Sequence, residues 1–500
     1  MESTAGQDGL NRNPAAGPGA EEAGGCADAG PAWTADLRHL LGLAAAGVAG
    51  TLAQTVMSFV DYWIVSQLPD ASAAQAAVSS AGLVYFAIFG FLLGAMLCTT
   101  TVVSQSLGAG RRRDCSVYGW QGFWISMLYG LLAMLLWPLM PAIYGFFGHD
   151  PAVQEMEVVY TRVRLLSLGA AGAGTALGHY FIGIHRPWPN ANSSIGSNLL
   201  NAVLTYGLVL GCWGLPAMGV EGAAWGTTIA TFFRLAWLMW AMCLGPEAGL
   251  FEARYTWGWD ADKARRLLRV GWPAGVSLVA DIGAWAVFLV AIIGMFGTVH
   301  LAATGTVWRF TELSFMPAIG IGHAVSTMVG RSIGEGRPDL ARRRAGLGAV
   351  LNVLYMGLMG VVFVAFGEPL MRLFCQDPEV IDLGVRLLVF AAVFQVFDAV
   401  AITYNHALRG AGDTTWPAVV GALQAWTIMI ACGLLIGRLR PDLGSLGPWT
   451  FATLFVIVVG LTFWVRWRRG AWRNIDVIGL QPESIEVAAE ARLPGPAAGA

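Results

Sequence analysis

Apolar residues along this chain fall in long blocks rather than stripes. No polar face recurs at the 3.6-residue spacing a soluble helix shows. Twelve blocks stand out, at 41–67, 77–106, 117–141, 153–181, 190–213, 219–244, 267–297, 301–330, 345–366, 380–408, 415–437 and 447–467. Each is long enough to cross about 30 Å of hydrocarbon, which takes about 20 helical residues. Several contain Gly or Pro, which membrane helices tolerate better than soluble ones. The pattern predicts an all-α polytopic membrane protein.

Composition removes the soluble alternative. Apolar residues make up 56% of the chain and charged residues 12%, against about 25% charged in soluble domains. A net charge of −2 gives nucleic acid nothing to hold. The cysteines are scattered without a C-x-x-C, so neither a zinc site nor a disulfide framework is expected. No P-loop, H-E-x-x-H or G-x-S-x-G occurs, which argues against an ATP-driven pump and the commoner hydrolases. Residues 1–34 lack periodicity and the layout of a cleavable signal peptide, so the first helix is expected to direct insertion. The implied organisation is a tail at 1–37, an N-lobe of six helices at 38–244, a linker at 245–266, a C-lobe of six helices at 267–468 and a tail at 469–500.

Basic residues set the orientation. Segments following even-numbered blocks carry nineteen Arg and Lys, among them Arg111, Arg186, Lys263, Arg331, Arg409 and Arg466. Segments following odd-numbered blocks carry three, Arg372, Arg438 and Arg440. The positive-inside rule then puts both termini in the cytoplasm. A missed or extra helix would scramble this alternation.

The halves also repeat. Gln105-Ser-Leu-Gly108-Ala-Gly110-Arg111 returns 226 residues later as Arg331-Ser-Ile-Gly334-Glu-Gly336-Arg337, and Trp188-Pro189 returns 228 later as Trp416-Pro417. Each half has an even number of helices, so both lie the same way up, related by a pseudo-two-fold along the membrane normal.

Charges inside such helices cost about 2.5–3.5 kcal/mol each on insertion scales, so each needs a partner or a task. Arg309 and Glu312 are three apart, hence neighbours on one helix face, and read as a structural pair or a gate. Glu157, Arg162 and Arg164 lie near a membrane interface and read as structural. Arg234 and Arg386 show no partner nearby in sequence. Asp281 and Asp398 lie mid-block without an opposite charge three or four residues away. At an offset of about 227, Asp281 corresponds to Gln54, Asp398 to Ala171 and Asp61 to Phe288. Scaffold positions should be shared between halves. Carboxylates found in one half only are the stronger functional candidates. Desolvation disfavours an ionised carboxyl, so such a group can take up a proton near neutral pH; ionised, it attracts an organic cation or helps hold Na⁺. Further cavity candidates are Gln54, Asn198, Asn201, Trp285, Trp308 and Phe394, for hydrogen bonding or for stacking on cations. For the two asparagines, interhelical hydrogen bonding is the plainer reading. His179 and His406 map within one position of each other, which suggests a role in the fold.

Several segments resemble the multidrug and toxic compound extrusion (MATE) family. They are Val60-Asp61, Val103-Ser-Gln105-x-x-Gly108-Ala-Gly110, Gly214-Leu-Pro216-Ala-Met-Gly219-Val-Glu-Gly222, Gly271-Trp-Pro273, Arg309-Phe-Thr-Glu312-Leu-Ser-Phe-Met-Pro317-Ala-Ile-Gly320 and Leu408-Arg-Gly410-Ala-Gly412-Asp-Thr. The resemblance covers about 38–468. It implies a V-shaped, two-lobed fold and export of organic cations in exchange for H⁺ or Na⁺. Asp61, Asp281 and Asp398 fall where the family has acidic residues in helices 1, 7 and 10, with Na⁺ at Asp281 and Asp398 as the one metal expectation. Thr205 stands where the archaeal, proton-linked branch has Asp, which shifts weight to the second half. Small organic cations, amphipathic compounds and membrane lipid are the expected partners, with no nucleic acid and no cofactor beyond the coupling ion. A monomer in a bacterial inner membrane is expected. A lipid-linked oligosaccharide flippase of the same superfamily is the alternative. It would place several Arg residues in the cavity. A polytopic membrane enzyme is the third reading.

Overall fold

The computed structural model describes residues 32–479; the outer parts of both expected tails, 1–31 and 480–500, lie outside them. Twelve long helices follow in order: α1 (Ala32–Val65), α2 (Ala71–Gly108), α3 (Arg112–Phe147), α4 (Pro151–Leu166 and Leu168–Gly183, bent by 47°), α5 (Trp188–Leu210), α6 (Gly219–Leu244), α7 (Ala261–Phe296), α8 (Thr298–Gly334), α9 (Pro338–Ala365), α10 (Pro378–Gly410), α11 (Thr415–Leu439) and α12 (Leu446–Arg469). No strand occurs among the described residues. Helix starts follow local chemistry. Asp150, Asp260 and Asp377 each accept a backbone N–H of the first turn of α4, α7 and α10. Pro151 and Pro378 occupy first-turn positions where no N–H is needed. The expected linker is shorter than the 245–266 read from the sequence, because Asp260 starts α7 at Ala261.

Ten helices are apolar enough to span singly, and the bent α4 makes eleven. The twelfth, α5, has four Asn and three Ser in its first fourteen residues. It turns this polarity inward. Ser193, Ser194, Ser197, Asn201 and Thr205 are buried, while Leu199 and Val203 are 66% and 54% exposed. That is the arrangement a lipid-facing helix needs.

Each lobe has its own apolar core, one centred on α8, α10 and α12 and one on α2, α3 and α4. The lobes meet through symmetric glycine crossings. α1 crosses α8 where Gly47 meets Gly320, and α2 crosses α7 where Gly94 meets Gly275. Gly94 and Gly320 are themselves 226 apart, so these two crossings are pseudo-two-fold mates. The repeated motifs also pack on each other, since a Cβ on Gly108 would strike the Arg331 carbonyl and one on Gly334 the Gln105 carbonyl.

Among the described residues, most interlobe polar contacts gather at the end that carries the termini. Asp36 of α1 bridges to Arg344 of α9 at 3.3 Å. Lys263 at the start of α7 reaches Asp114 of α3 at 2.7 Å. Thr101 and Gln105 donate to the carbonyls of Arg409 and Gly410. The segment after α12 crosses to the N-lobe, burying Val477 and Ile478 in its core, and Arg111 donates to the Ile478 carbonyl. Toward the opposite end, Thr51 donating to the Met316 carbonyl is the last hydrogen bond between lobes among the described residues. Beyond it no hydrogen bond or ion pair joins the lobes among the described residues, so the fastened end is the one that carries the termini.

Candidate functional site

Asp281 and Asp398 project from α7 and α10 into one cavity of about 210 Å³ in the C-lobe. Ser277, Asp281 and Trp285 recur at four-residue spacing on α7, and Asp398, Ile402, Asn405 and Arg409 follow one face of α10. α2 closes the cavity at Gly94 and Leu97, and α11 and α12 close the rest. Neither aspartate has a hydrogen bond or ion pair among the described residues. Two carboxylates without a partner favour the uptake of cations in this space. No three acidic, Cys or His side chains converge as metal ligands among the described residues. A Na⁺ here would be completed by backbone, hydroxyl or amide oxygens and water.

At the edge of this cavity two of its helices depart from ordinary α-helix. α7 passes through a π-helical stretch at Phe288–Ile293 and α11 through one at Ala425–Cys432. Such stretches are frequent at functional sites. Neither α1 nor α5, their counterparts by the repeat, contains one. The lobes thus share a scaffold and differ at the cavity.

Asp61 occupies a separate place in the N-lobe. Asn201 donates to its Oδ2 at 3.3 Å, and Thr205 donates to the Asn201 Oδ1 at 2.7 Å. Its Oδ1 is shielded without a partner, as is the Asn198 amide nitrogen. α1 and α5 therefore carry a linked Asp61–Asn201–Thr205 chain, 140 residues from Asp61 to Asn201. Spacing along the chain reveals the Asn201–Thr205 turn but not its junction with Asp61.

The other sequence candidates distribute as follows. Trp285 lines the C-lobe cavity, and Trp308 packs behind it with ring centroids 4.9 Å apart and planes tilted by 53°. Phe394 is no cavity residue: it is buried in the C-lobe core and stacks on Trp449 at 6.2 Å. Arg309 and Glu312 form an ion pair at 3.8 Å. Gln54 is exposed on α1, outside both clusters. Arg386, which showed no partner near it in sequence, pairs with Asp382 one turn away at 2.7 Å. Arg234 donates to the Asn190 amide oxygen at 3.0 Å. Glu157 is buried and meets His149 at 2.8 Å.

Three residues of the site escaped the sequence reading. Arg409, counted there as a loop arginine, lies in the last turns of α10 and lines the C-lobe cavity. Asn405, two turns from Asp398 on the same face, accompanies it. His323 stands between His179 and His406, with ring centroids 5.1 and 5.2 Å away, so the three rings bridge the lobes. The even spacing along α10 was the available signal for Asn405 and Arg409. Nothing local marked His323.

Twin six-helix lobes with a carboxylate-lined cavity inside the span fit a membrane transporter. The MatE family model matches twice, over residues 48–207 and 282–435, once in each lobe. The multidrug resistance protein PmpM of Pseudomonas aeruginosa is 30% identical over 437 residues, covering 86% of this chain and 89% of PmpM. A probable multidrug resistance protein NorM of Chromobacterium violaceum is 29% identical over 438 residues, covering 85% of this chain and 92% of that protein. Among solved structures, the eukaryotic MATE transporter AtDTX14 aligns with a TM-score of 0.77 at 18% identity, covering 92% of this chain and 99% of that one. A point mutant of the Vibrio cholerae MATE transporter VcmN aligns with a TM-score of 0.77 at 18% identity, covering 89% of this chain and 99% of that one. The chain belongs to the MATE family of multi-pass membrane transporters, and it is not an enzyme.

Proposed function

We propose that this chain exports organic, often cationic, compounds from the cytoplasm in exchange for H⁺ or Na⁺. The observation that carries the reading is the C-lobe cavity with two unpartnered carboxylates, Asp281 and Asp398. The names of its relatives, multidrug resistance proteins, support drug export. With the arginine-rich end in the cytoplasm, the fastened end faces inward and the lobes part toward the outside. A cation entering from outside neutralises the carboxylates there. It shifts the lobe equilibrium by its differential affinity for the two states and by no more. Substrate released outward and cation carried inward then alternate on the same or coupled charges. Asp61, held by Asn201, is the N-lobe participant. Trp285 offers a ring face to a cationic substrate.

The flippase reading requires several free basic side chains in a cavity. Arg234, Arg309 and Arg386 are each engaged by a neighbour, which leaves Arg409 as the one such arginine in the C-lobe cavity. That favours cation export. The test is ethidium efflux from energised vesicles with the H⁺ and Na⁺ gradients collapsed separately. Efflux should stop on loss of one gradient, and Asp398→Asn should abolish it. Efflux indifferent to both gradients would sink the antiport mechanism.

A further inference from the structure

A larger cavity, of about 790 Å³, lies at the terminus end of the N-lobe, outside everything assigned above. The first turns of α1, the α4–α5 loop, the start of α5 and the last turns of α6 enclose it. Its polar groups leave room for a ligand. Arg38 and Asn192, both exposed to solvent, line it without a hydrogen bond or ion pair to the protein among the described residues. His39 and His185 stack with centroids 5.0 Å apart and share one hydrogen bond, His185 Nδ1 to His39 Nε2, at 3.2 Å. That leaves the His185 Nε2 shielded from solvent and unpartnered. Glu247 is the one carboxylate in the lining, and Arg186 already holds it at 3.0 Å. The cavity is therefore left with one uncompensated positive charge and converging donors.

The rest of the wall is apolar and wide. Trp188 and Trp240 are 52% and 58% exposed at its rim, as tryptophans are at a membrane interface. A ligand that satisfies both halves has an anionic oxygen head and a hydrocarbon body. A transported cation would meet Arg38 and be repelled. We infer that this cavity is a binding site for the phosphoryl headgroup of an anionic phospholipid, with Arg38 as its main ionic contact and the histidine pair and Asn192 as further hydrogen-bonding partners. Basic pockets between transmembrane helices on the cytoplasmic side bind anionic headgroups by the same chemistry.

The test is the thermal unfolding of the purified full-length protein in neutral detergent, titrated with phosphatidylglycerol, phosphatidylcholine or inorganic phosphate. Phosphatidylglycerol should raise the midpoint of the wild type, and the other two should not. Arg38→Gln should need about tenfold more phosphatidylglycerol for the same rise, the worth of one charge-assisted hydrogen bond. Arg113→Gln, which removes an exposed arginine on the same end, should titrate like wild type and so exclude general surface attraction. Should Arg38→Gln fail to match the wild-type midpoint in phosphatidylcholine, His39→Phe, which keeps the ring stack, takes its place. An equal response to phosphatidylcholine, or to phosphatidylglycerol after loss of Arg38, overturns the site. Stabilisation by phosphate alone overturns the lipid and leaves a free-anion site.

Discussion

The glycine crossing of α2 and α7 gives a prediction whose size follows from its geometry. A Cβ on Gly94 would lie 2.7 Å from the Ala274 carbonyl oxygen and 2.7 Å from the Gly275 Cα, both main-chain atoms that cannot swing aside. Ordinary contact sits at roughly 3.5–4.0 Å, so Gly94→Ala requires the helices to part by about 0.8 Å. Overpacking of this kind costs about 1–3 kcal/mol. That strain acts only while the terminus end is closed. It should therefore shift the lobe equilibrium about 5–150-fold toward states in which α2 and α7 are separated there. Spin labels at Arg112→Cys and Arg337→Cys, one on each lobe, report the separation by pulsed EPR once the accessible native cysteines are replaced. The wild type should give one short distance, and Gly94→Ala a longer or second population. Gly82→Ala is the control, because a Cβ there meets nothing within 4 Å on the same helix. If Gly94→Ala and Gly82→Ala gave the same distances as wild type, the crossing would not be the contact that holds the lobes together.

Other outcomes follow from single contacts. Asn201→Ala strips Asp61 of its hydrogen bond, a loss of about 1.5–3 kcal/mol for a charged acceptor; efflux should fall while membrane insertion and yield stay normal, and unchanged efflux would remove Asp61 from the transport cycle. Asp36→Asn breaks the bridge to Arg344, both partners of which are largely buried. The distance between lobe labels should broaden at the terminus end, and a distribution like wild type would mean the glycines suffice. Val477→Asp puts a charge into the N-lobe core and should release the segment after α12, read as a lower melting midpoint and new protease cleavage between Arg469 and Gly479. An unaltered cleavage pattern would show that this segment is held by other contacts.

The chain alone determined a great deal here because a membrane imposes simple rules. Length of apolar run gave the spans, arginine alternation gave the expected orientation, and a fixed offset gave the two lobes. Even α5, which is too polar to count as a span by hydropathy alone, was read from the chain as the block at 190–213. Local pairs one turn apart were legible too, as with Arg309 and Glu312. Arg386 and Asp382 were equally near but passed unnoticed, since Asp382 lies at the start of its helix. What the chain could not disclose were meetings between distant segments. Asp61 finds Asn201 across the N-lobe, and His323 finds His179 across the lobe interface. Phe394 and Trp285, alike as aromatic residues deep in a span, part company because one faces the C-lobe core and the other its cavity. Hydrophobicity fixes which residues leave water, but it acts without direction. Which neighbour each side chain then meets depends on how the helices cross, and here the paired glycines decide that.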